Sequence, residues 1–254
     1  MINMIKADLY RMLKSKGMWF FWGALILTYL VTLVYKQAGG INLGGPSLDS
    51  SAYKMDIQMV AHNFTYYYLF IIPAFCIITA DFSAKTIKNT ITSAISRKQY
   101  FITKFSFTEL FHVAVFLLGN LLFYLVNRLV NGTDYASSFS TFFQPVLLQL
   151  PLIIGFTALF ILLAFVLNKA SLFNSITIIA PLLYATISLV LYGIEGTKDF
   201  AEKILLKYEL NYMLQLLATD CTAKYRNTCL LVGAGLTILS FLLGYLWFTR
   251  HELD

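Results

Sequence analysis

The sequence has few charged residues: Asp, Glu, Lys and Arg make up 13% of its 254 residues, against about 25% in an ordinary soluble domain. Hydrophobic residues make up 58%, and the mean hydropathy is +0.70. A soluble chain of this length could not bury so much apolar surface, because part of every domain faces water. The scarcity of charge therefore excludes a single-domain soluble enzyme and a disordered protein, and it indicates an integral membrane protein.

Cysteine and the motifs of catalytic and metal centres are also scarce. Three Cys are too few for a disulfide scaffold, and whether Cys221 pairs with Cys229 stays open. The sequence has no G-x-x-x-x-G-K-[ST] phosphate loop, no H-E-x-x-H and no G-x-S-x-G motif. We therefore expect no catalytic residue, no metal site and no cofactor in this chain, and we expect that it is not an enzyme.

A membrane-spanning helix needs about 20 mostly apolar residues, and six segments of the sequence meet this requirement. They are apolar on all sides, without the alternation of barrel strands. The sequence thus predicts one all-α transmembrane domain over residues 1–254. The predicted spans are Met18–Tyr35, Ala61–Ala80, Ser106–Val130, Pro145–Leu167, Ser171–Gly193 and Thr228–Thr249.

The distribution of Lys and Arg predicts the orientation of these spans. Loops on the side of the two termini carry 11 of the 19 cations and 4 acids, whereas the opposite side carries 8 cations and 8 acids. Cytoplasmic loops are the ones enriched in Lys and Arg, so both termini are expected to be cytoplasmic. The basic balance thus reflects membrane topology, and we expect no nucleic-acid partner.

Residues 1–17 form a short amphipathic segment. Apolar residues recur at helical spacing, and Lys6, Arg11 and Lys14 lie towards another side. This pattern predicts a helix in the inner membrane surface, with its cations near anionic lipid headgroups. The alternative is a basic N-terminal segment that only sets the membrane topology of the chain.

The loop at 81–105 carries five cations and one acid. Within it, Ile87, Ile91 and Ile95 repeat every four residues and so make one apolar stripe on a short cytoplasmic helix. An apolar stripe on a cytoplasmic helix favours docking into an apolar groove of a partner protein. The alternative is that it lies back on the membrane or on neighbouring spans.

This loop resembles the loop after span two in type-2 ABC-transporter permeases, and the six-span length and basic N-terminal segment are also similar to that family. The resemblance covers the whole chain in layout and about 25 residues in sequence motif. The residues that carry it are Asp81-Phe82, Thr86-Ile87-Lys88-Asn89, Ile95-Ser96-Arg97, Tyr100-Phe101 and Lys104.

The resemblance implies a coupling helix that docks onto a separate ATPase subunit, which would bind the ATP and Mg. It implies a dimer of two identical chains, or of this chain with a sister permease, together with two ATPase copies. Among such permeases the chain looks most like small exporters of antimicrobial peptides, lantibiotics, bacitracin and phenol-soluble modulins in the Gram-positive cell membrane. The ATPase-facing residues would be Ile87, Lys88, Asn89, Ile91, Ile95 and Arg97.

Three further features are candidates for a role in transport. Glu109, within the third predicted span, would pair with a basic group such as Lys104, or would reach the interface by itself. Residues 194–227 are expected to form short helices that dip back towards the membrane; the alternative is a solvated amphipathic hairpin. The candidate cargo-cavity aromatics, which could equally face lipid, are Tyr67, Phe75, Phe116 and Phe123.

The sequence therefore favours the membrane subunit of an ATP-driven exporter of amphipathic or hydrophobic peptides. Two alternative functions remain open for the same membrane fold. One is a membrane sensor or assembly subunit that binds a partner through the same loop without transport. The other is an exporter of a small hydrophobic drug.

Overall fold

The computed structural model of the chain describes residues 2–36, 38, 53–63, 68–83, 87, 91, 95–219 and 221–250. Every regular element within these residues is a helix. Five helices within the described residues are long and apolar enough to cross a membrane, which makes the chain a multi-pass membrane protein. They are α2 (Lys16–Tyr35), α6 (Arg97–Asn131), α7 (Phe139–Leu167), α8 (Ala170–Gly193) and α11 (Ala223–Arg250).

Shorter helices lie at the chain start, before α6 and before α11. A π-helical turn, Phe75–Thr79, joins α4 to α5, and a second one, Ala201–Leu206, follows α9. In that second region Lys203 Nζ lies 2.7 Å from Asp199 Oδ2. The short helices are α1 (Ile2–Lys14), α3 (Met55–Ala61), α4 (Ile71–Ala74), α5 (Ala80–Ser83), α9 (Lys198–Phe200) and α10 (Leu210–Ala218).

The second predicted span, 61–80, is not one continuous helix. Helix α3 ends at Ala61 and residues 62–63 form a turn. Tyr68 and Leu69 are helical, Phe70 lies in a turn, and the chain then continues through α4 and the π-helical turn into α5. Pro73 lies in the first turn of α4, the part of a helix where a missing backbone N–H does least harm. The other five predicted spans correspond to long helices, whereas the sixth crossing stays a prediction.

Helix α6 begins nine residues before the predicted third span, at Arg97. Its start is fixed by Ser96, whose Oγ accepts a hydrogen bond from Gln99 N at 3.3 Å, while Gln99 Oε1 accepts one from Ser96 N at 3.2 Å. This reciprocal pair satisfies two backbone donors at the helix end. The last part of the 81–105 loop is therefore a rigid extension of α6.

Helix α7 lies at the centre of the bundle and packs against α6, α8, α10 and α11. Its closest neighbour is α11, because glycines face each other there. A Cβ at Gly155 would lie 2.6 Å from the carbonyl oxygen of Gly233, and one at Gly233 would lie 2.5 Å from the carbonyl carbon of Pro151. Small residues allow two membrane helices to approach this closely.

The outward faces of the long helices are strongly apolar. Leu129 is 85% exposed, and Val34 and Leu231 are each 74% exposed. Water would penalise so many large apolar side chains, whereas lipid tails do not. The exposed faces therefore agree with helices that lie in a bilayer.

Candidate functional site

Four charged side chains meet where α1, α5 and α6 come together, and we call Asp8, Arg11, Asp81 and Lys104 the charge cluster. Lys104 Nζ lies 2.6 Å from Asp8 Oδ1 and 2.6 Å from Asp81 Oδ2. It also donates to the carbonyl oxygen of Ile77 at 2.9 Å. An ammonium group has three N–H donors, so these three acceptors use all of them.

Two more groups complete the cluster around the acids. The guanidinium of Arg11 donates to Asp81 Oδ1 and to Asp8 Oδ1 at 3.1 Å. The hydroxyl of Tyr100 donates to Asp81 Oδ2 at 2.6 Å. Asp81 therefore has bonds to α1 through Arg11 and to α6 through Tyr100 and Lys104.

The cluster is largely shielded from solvent. Lys104 is 0% exposed, Asp8 1% and Asp81 3%. Burial raises the pKa of the Asp8 carboxyl above its ordinary value, and the neighbouring charges of Lys104 and Arg11 only partly oppose this shift. Because buried charges are tolerated when they are paired, each member of the cluster depends on the others.

The amphipathic pattern of α1 explains how Asp8 reaches this site. Met4, Asp8 and Met12 are spaced four residues apart, and all three are buried on one face of α1. Lys6 and Lys14 are exposed, as the sequence predicts for cations near lipid headgroups. The buried face of α1 thus carries a carboxylate flanked by two thioethers, and the exposed side carries cations.

An aromatic contact extends the charge cluster into the bundle. The ring of Tyr100 is stacked 5.5 Å from that of Phe248 on α11, and Phe248 lies 5.1 Å from Phe165 on α7. Since Tyr100 also binds Asp81, one side chain touches both the charge cluster and the helix bundle. A displacement of α5 or α1 would therefore reach α7 and α11 through packed side chains.

The isoleucine stripe of the predicted docking helix faces the protein's own core. Ile87 is buried, and Ile91 and Ile95 are partly buried against the core. This is the arrangement expected if the stripe lies on neighbouring elements. Of the other predicted docking residues, Arg97 is the first residue of α6, while Lys88 and Asn89 lie outside the described residues.

Glu109 has a neutral partner in this structure. Thr157 on α7 donates to Glu109 Oε2 at 2.7 Å. Lys104, which the sequence offers as its ionic partner, binds Asp8 and Asp81 instead. Glu109 therefore joins α6 to α7 by a hydrogen bond, separately from the charge cluster.

The predicted cargo-cavity aromatics lie in different surroundings. Phe116 and Phe123 are buried in the core, and the ring of Phe123 lies 5.3 Å from that of Tyr29 on α2. Phe75 is partly buried against the same core, and Tyr67 lies outside the described residues. In this conformation Phe116 and Phe123 act as packing residues between helices.

Sequence reasoning missed the charge cluster because it paired Lys104 with Glu109 and gave Asp8 no role. A signal was present: Asp8 is the only acid in the basic segment 1–17, and it has the spacing of Met4 and Met12. Cys221 and Cys229, both in the described part of the chain, are not linked by a disulfide.

The site brings together α1 and both ends of the 81–105 loop through ion pairs and hydrogen bonds. Among the described residues no group of three His, Cys, Asp or Glu side chains could hold a metal ion. Comparison of the chain with protein-family models, with curated proteins and with solved structures finds no match.

Proposed function

We propose that this protein is the transmembrane subunit of an ATP-driven ABC exporter. Two such chains would form a transport unit with two copies of a separate ATPase. Each chain would cross the plasma membrane of a Gram-positive bacterium six times, with both termini in the cytoplasm. The cargo would be an amphipathic or hydrophobic peptide, such as an antimicrobial peptide or a peptide toxin.

The charge cluster is the observation that carries this proposal. A coupling loop has to pass a push from an ATPase to the membrane helices, and a flexible loop would absorb the push. Here Lys104, near one end of the loop, binds Asp81 at the other end and Asp8 of α1. Separating these buried charges would cost several kcal/mol, so the loop ends, α1 and α6 would move together, as rigid-body switching requires.

The inward packing of Ile87 refines which loop residues would contact the ATPase. With the isoleucines against the core, the cations Lys88 and Arg97 become the main candidates for contact with acidic groups of the partner. The peptide cargo is supported by the resemblance to small peptide exporters and by the aromatic content of 16%.

Charge reversal in the loop tests the proposal. The double variant Lys88→Glu and Arg97→Glu should still insert into the membrane but lose ATPase binding and cargo-stimulated ATP hydrolysis. The control is Lys169→Glu, since Lys169 is exposed in a short loop on the same predicted side, outside 81–105. Unchanged ATP hydrolysis in the double variant would contradict the docking role of these cations.

A further inference from the structure

A second polar cluster lies deep among the apolar helices. We call Asn63, Asn120, Gln149, Asn211 and Gln215 the amide cluster, and each of them is at most 2% exposed. Asn120 lies 16 residues beyond Lys104 on α6, or about 24 Å along a helix that rises about 1.5 Å per residue. The amide cluster is thus well separated from the charge cluster, towards the other end of the bundle.

Gln149 holds the amide cluster together. Its Nε2 donates to the carbonyl oxygen of Val60 at 2.9 Å and to that of Leu214 at 2.7 Å. Its Oε1 accepts a hydrogen bond from Asn63 Nδ2 at 2.9 Å. One side chain of α7 thereby joins the end of α3 to α10, which packs over both.

Two hydrogen-bonding atoms of the cluster are left over. Asn63 Oδ1 and Asn211 Nδ2 are buried and have no partner among the described residues. The other end of the Asn211 amide is engaged, because Asn211 Oδ1 accepts from Gln215 Nε2 at 3.2 Å. A buried polar group without a partner is costly, so an unused acceptor and an unused donor in one cluster point to a ligand.

The chemistry of the two atoms specifies the class of ligand. A peptide group has one N–H donor and one C=O acceptor and carries no charge. Asn63 Oδ1 can accept from the N–H, and Asn211 Nδ2 can donate to the C=O. None of the five side chains of the amide cluster is ionisable, so an ionic group bound there would find no opposite charge in it.

We infer that the amide cluster is the part of the cargo site that binds main-chain amide groups of a peptide. The inference rests on the proposed export of peptides and adds the recognition chemistry to it. Helix α10 has nine residues and is joined to α7 by the Gln149 bond to Leu214. Displacement of α10 would expose the two unused atoms to an incoming peptide.

Peptide binding by the purified full chain in nanodiscs tests this inference. The probe is a fluorescent, uncharged, leucine-rich 12-residue peptide, compared with the same peptide N-methylated at alternate amides. Asn211→Leu should weaken binding of the unmethylated probe about tenfold, the order expected for the loss of one buried hydrogen bond. N-methylation of the probe should weaken its binding to the unaltered chain in the same direction.

Gln144→Leu is the control, because Gln144 lies at an exposed position of α7 outside the amide cluster. Its binding of the probe should stay within about twofold of the unaltered chain. Thermal unfolding of each variant identifies any that fails to fold, and Asn211→Gln, which restores a donor, should recover part of the affinity.

Equal losses in Asn211→Leu and Gln144→Leu, or no binding of the probe to the unaltered chain, would overturn the inference and leave the amide cluster as helix packing. Failure of the proposed function is a separate result, since the binding assay needs no ATPase. Asn211-dependent binding in a protein that recruits no ATPase would preserve the peptide site and reject the exporter. An ATPase complex in which peptide binding does not depend on Asn211 would support the exporter and reject the peptide site.

Discussion

Lys104 and Asp8 form a buried ion pair with 2.6 Å between Nζ and Oδ1, although 96 residues separate them in sequence. The pair fixes α1 to the start of α6, and Asp81, the first residue of the 81–105 loop, joins it. Three buried charged residues, Asp8, Asp81 and Lys104, thus meet at the place where the resemblance puts the coupling loop.

Loss of the Lys104 charge should strongly destabilise the protein. Lys104→Met leaves Asp8 and Asp81 buried with only Arg11, whose side chain is 45% exposed, and the expected cost is about 3–5 kcal/mol. The measurement is the thermal unfolding midpoint in detergent. Lys98→Met, at an exposed position of the same helix, should change the midpoint little, and an equal effect of the two variants would argue against the cluster as an anchor.

Removal of both charges of the pair should cost less than the sum of the single changes. In Asp8→Asn with Lys104→Met, Asp81 keeps Arg11 as its partner and no acid is left without a cation. Residues in one ionic network commonly couple by about 0.5–3 kcal/mol. A double-mutant cycle on unfolding midpoints measures this coupling, and strictly additive effects would mean that Asp8 and Lys104 act independently.

A side chain at Gly233 should disrupt the contact between α7 and α11. Gly233→Val places a Cβ against the backbone of Pro151, so one helix has to shift, at an expected cost of about 2 kcal/mol or more. Gly235→Val is the control on the same helix, because a Cβ there meets nothing within 4 Å. Comparison of expression and unfolding midpoints checks the prediction, which fails if both variants behave like the unaltered chain.

The three native cysteines offer a test of topology. Cys221, just before α11, is partly exposed, whereas Cys76 and Cys229 are buried. With six crossings and cytoplasmic termini, a membrane-impermeant maleimide should label Cys221 in intact cells. Cys221→Ser should abolish the labelling. Labelling only after the cells are made permeable would place this loop inside and contradict the proposed orientation.

The sequence predicted six spans, and five of them are long helices in the described part of the chain, because length and uniform hydrophobicity are local properties. It also predicted a helical N-terminal segment and short helices before the last span. The second span differed because α3 ends at Ala61, turns follow at residues 62–63 and at Phe70, and a π-helical turn interrupts the α-helix at Phe75–Thr79. Hydropathy averaged over a window does not detect such a break.

The charge cluster was less accessible to sequence reasoning because it depends on contacts between distant segments. The sequence analysis offered Lys104 as a partner for Glu109, its near neighbour in sequence, and periodicity cannot identify acids in distant segments. The three-dimensional arrangement chooses Asp81 and adds Asp8. The amide cluster has the same origin, since Asn63, Gln149 and Asn211 meet only after α3, α7 and α10 pack together.

The most direct test of the exporter proposal is a mild-detergent pull-down of the tagged chain, with mass spectrometry of its partners and an ATPase assay of the eluate. The proposal predicts a stoichiometric partner with a G-x-x-x-x-G-K-[ST] phosphate loop and measurable ATP turnover. Repeated recovery of the folded chain without an ATPase, under gentle extraction, would contradict it and favour the sensor or assembly alternative.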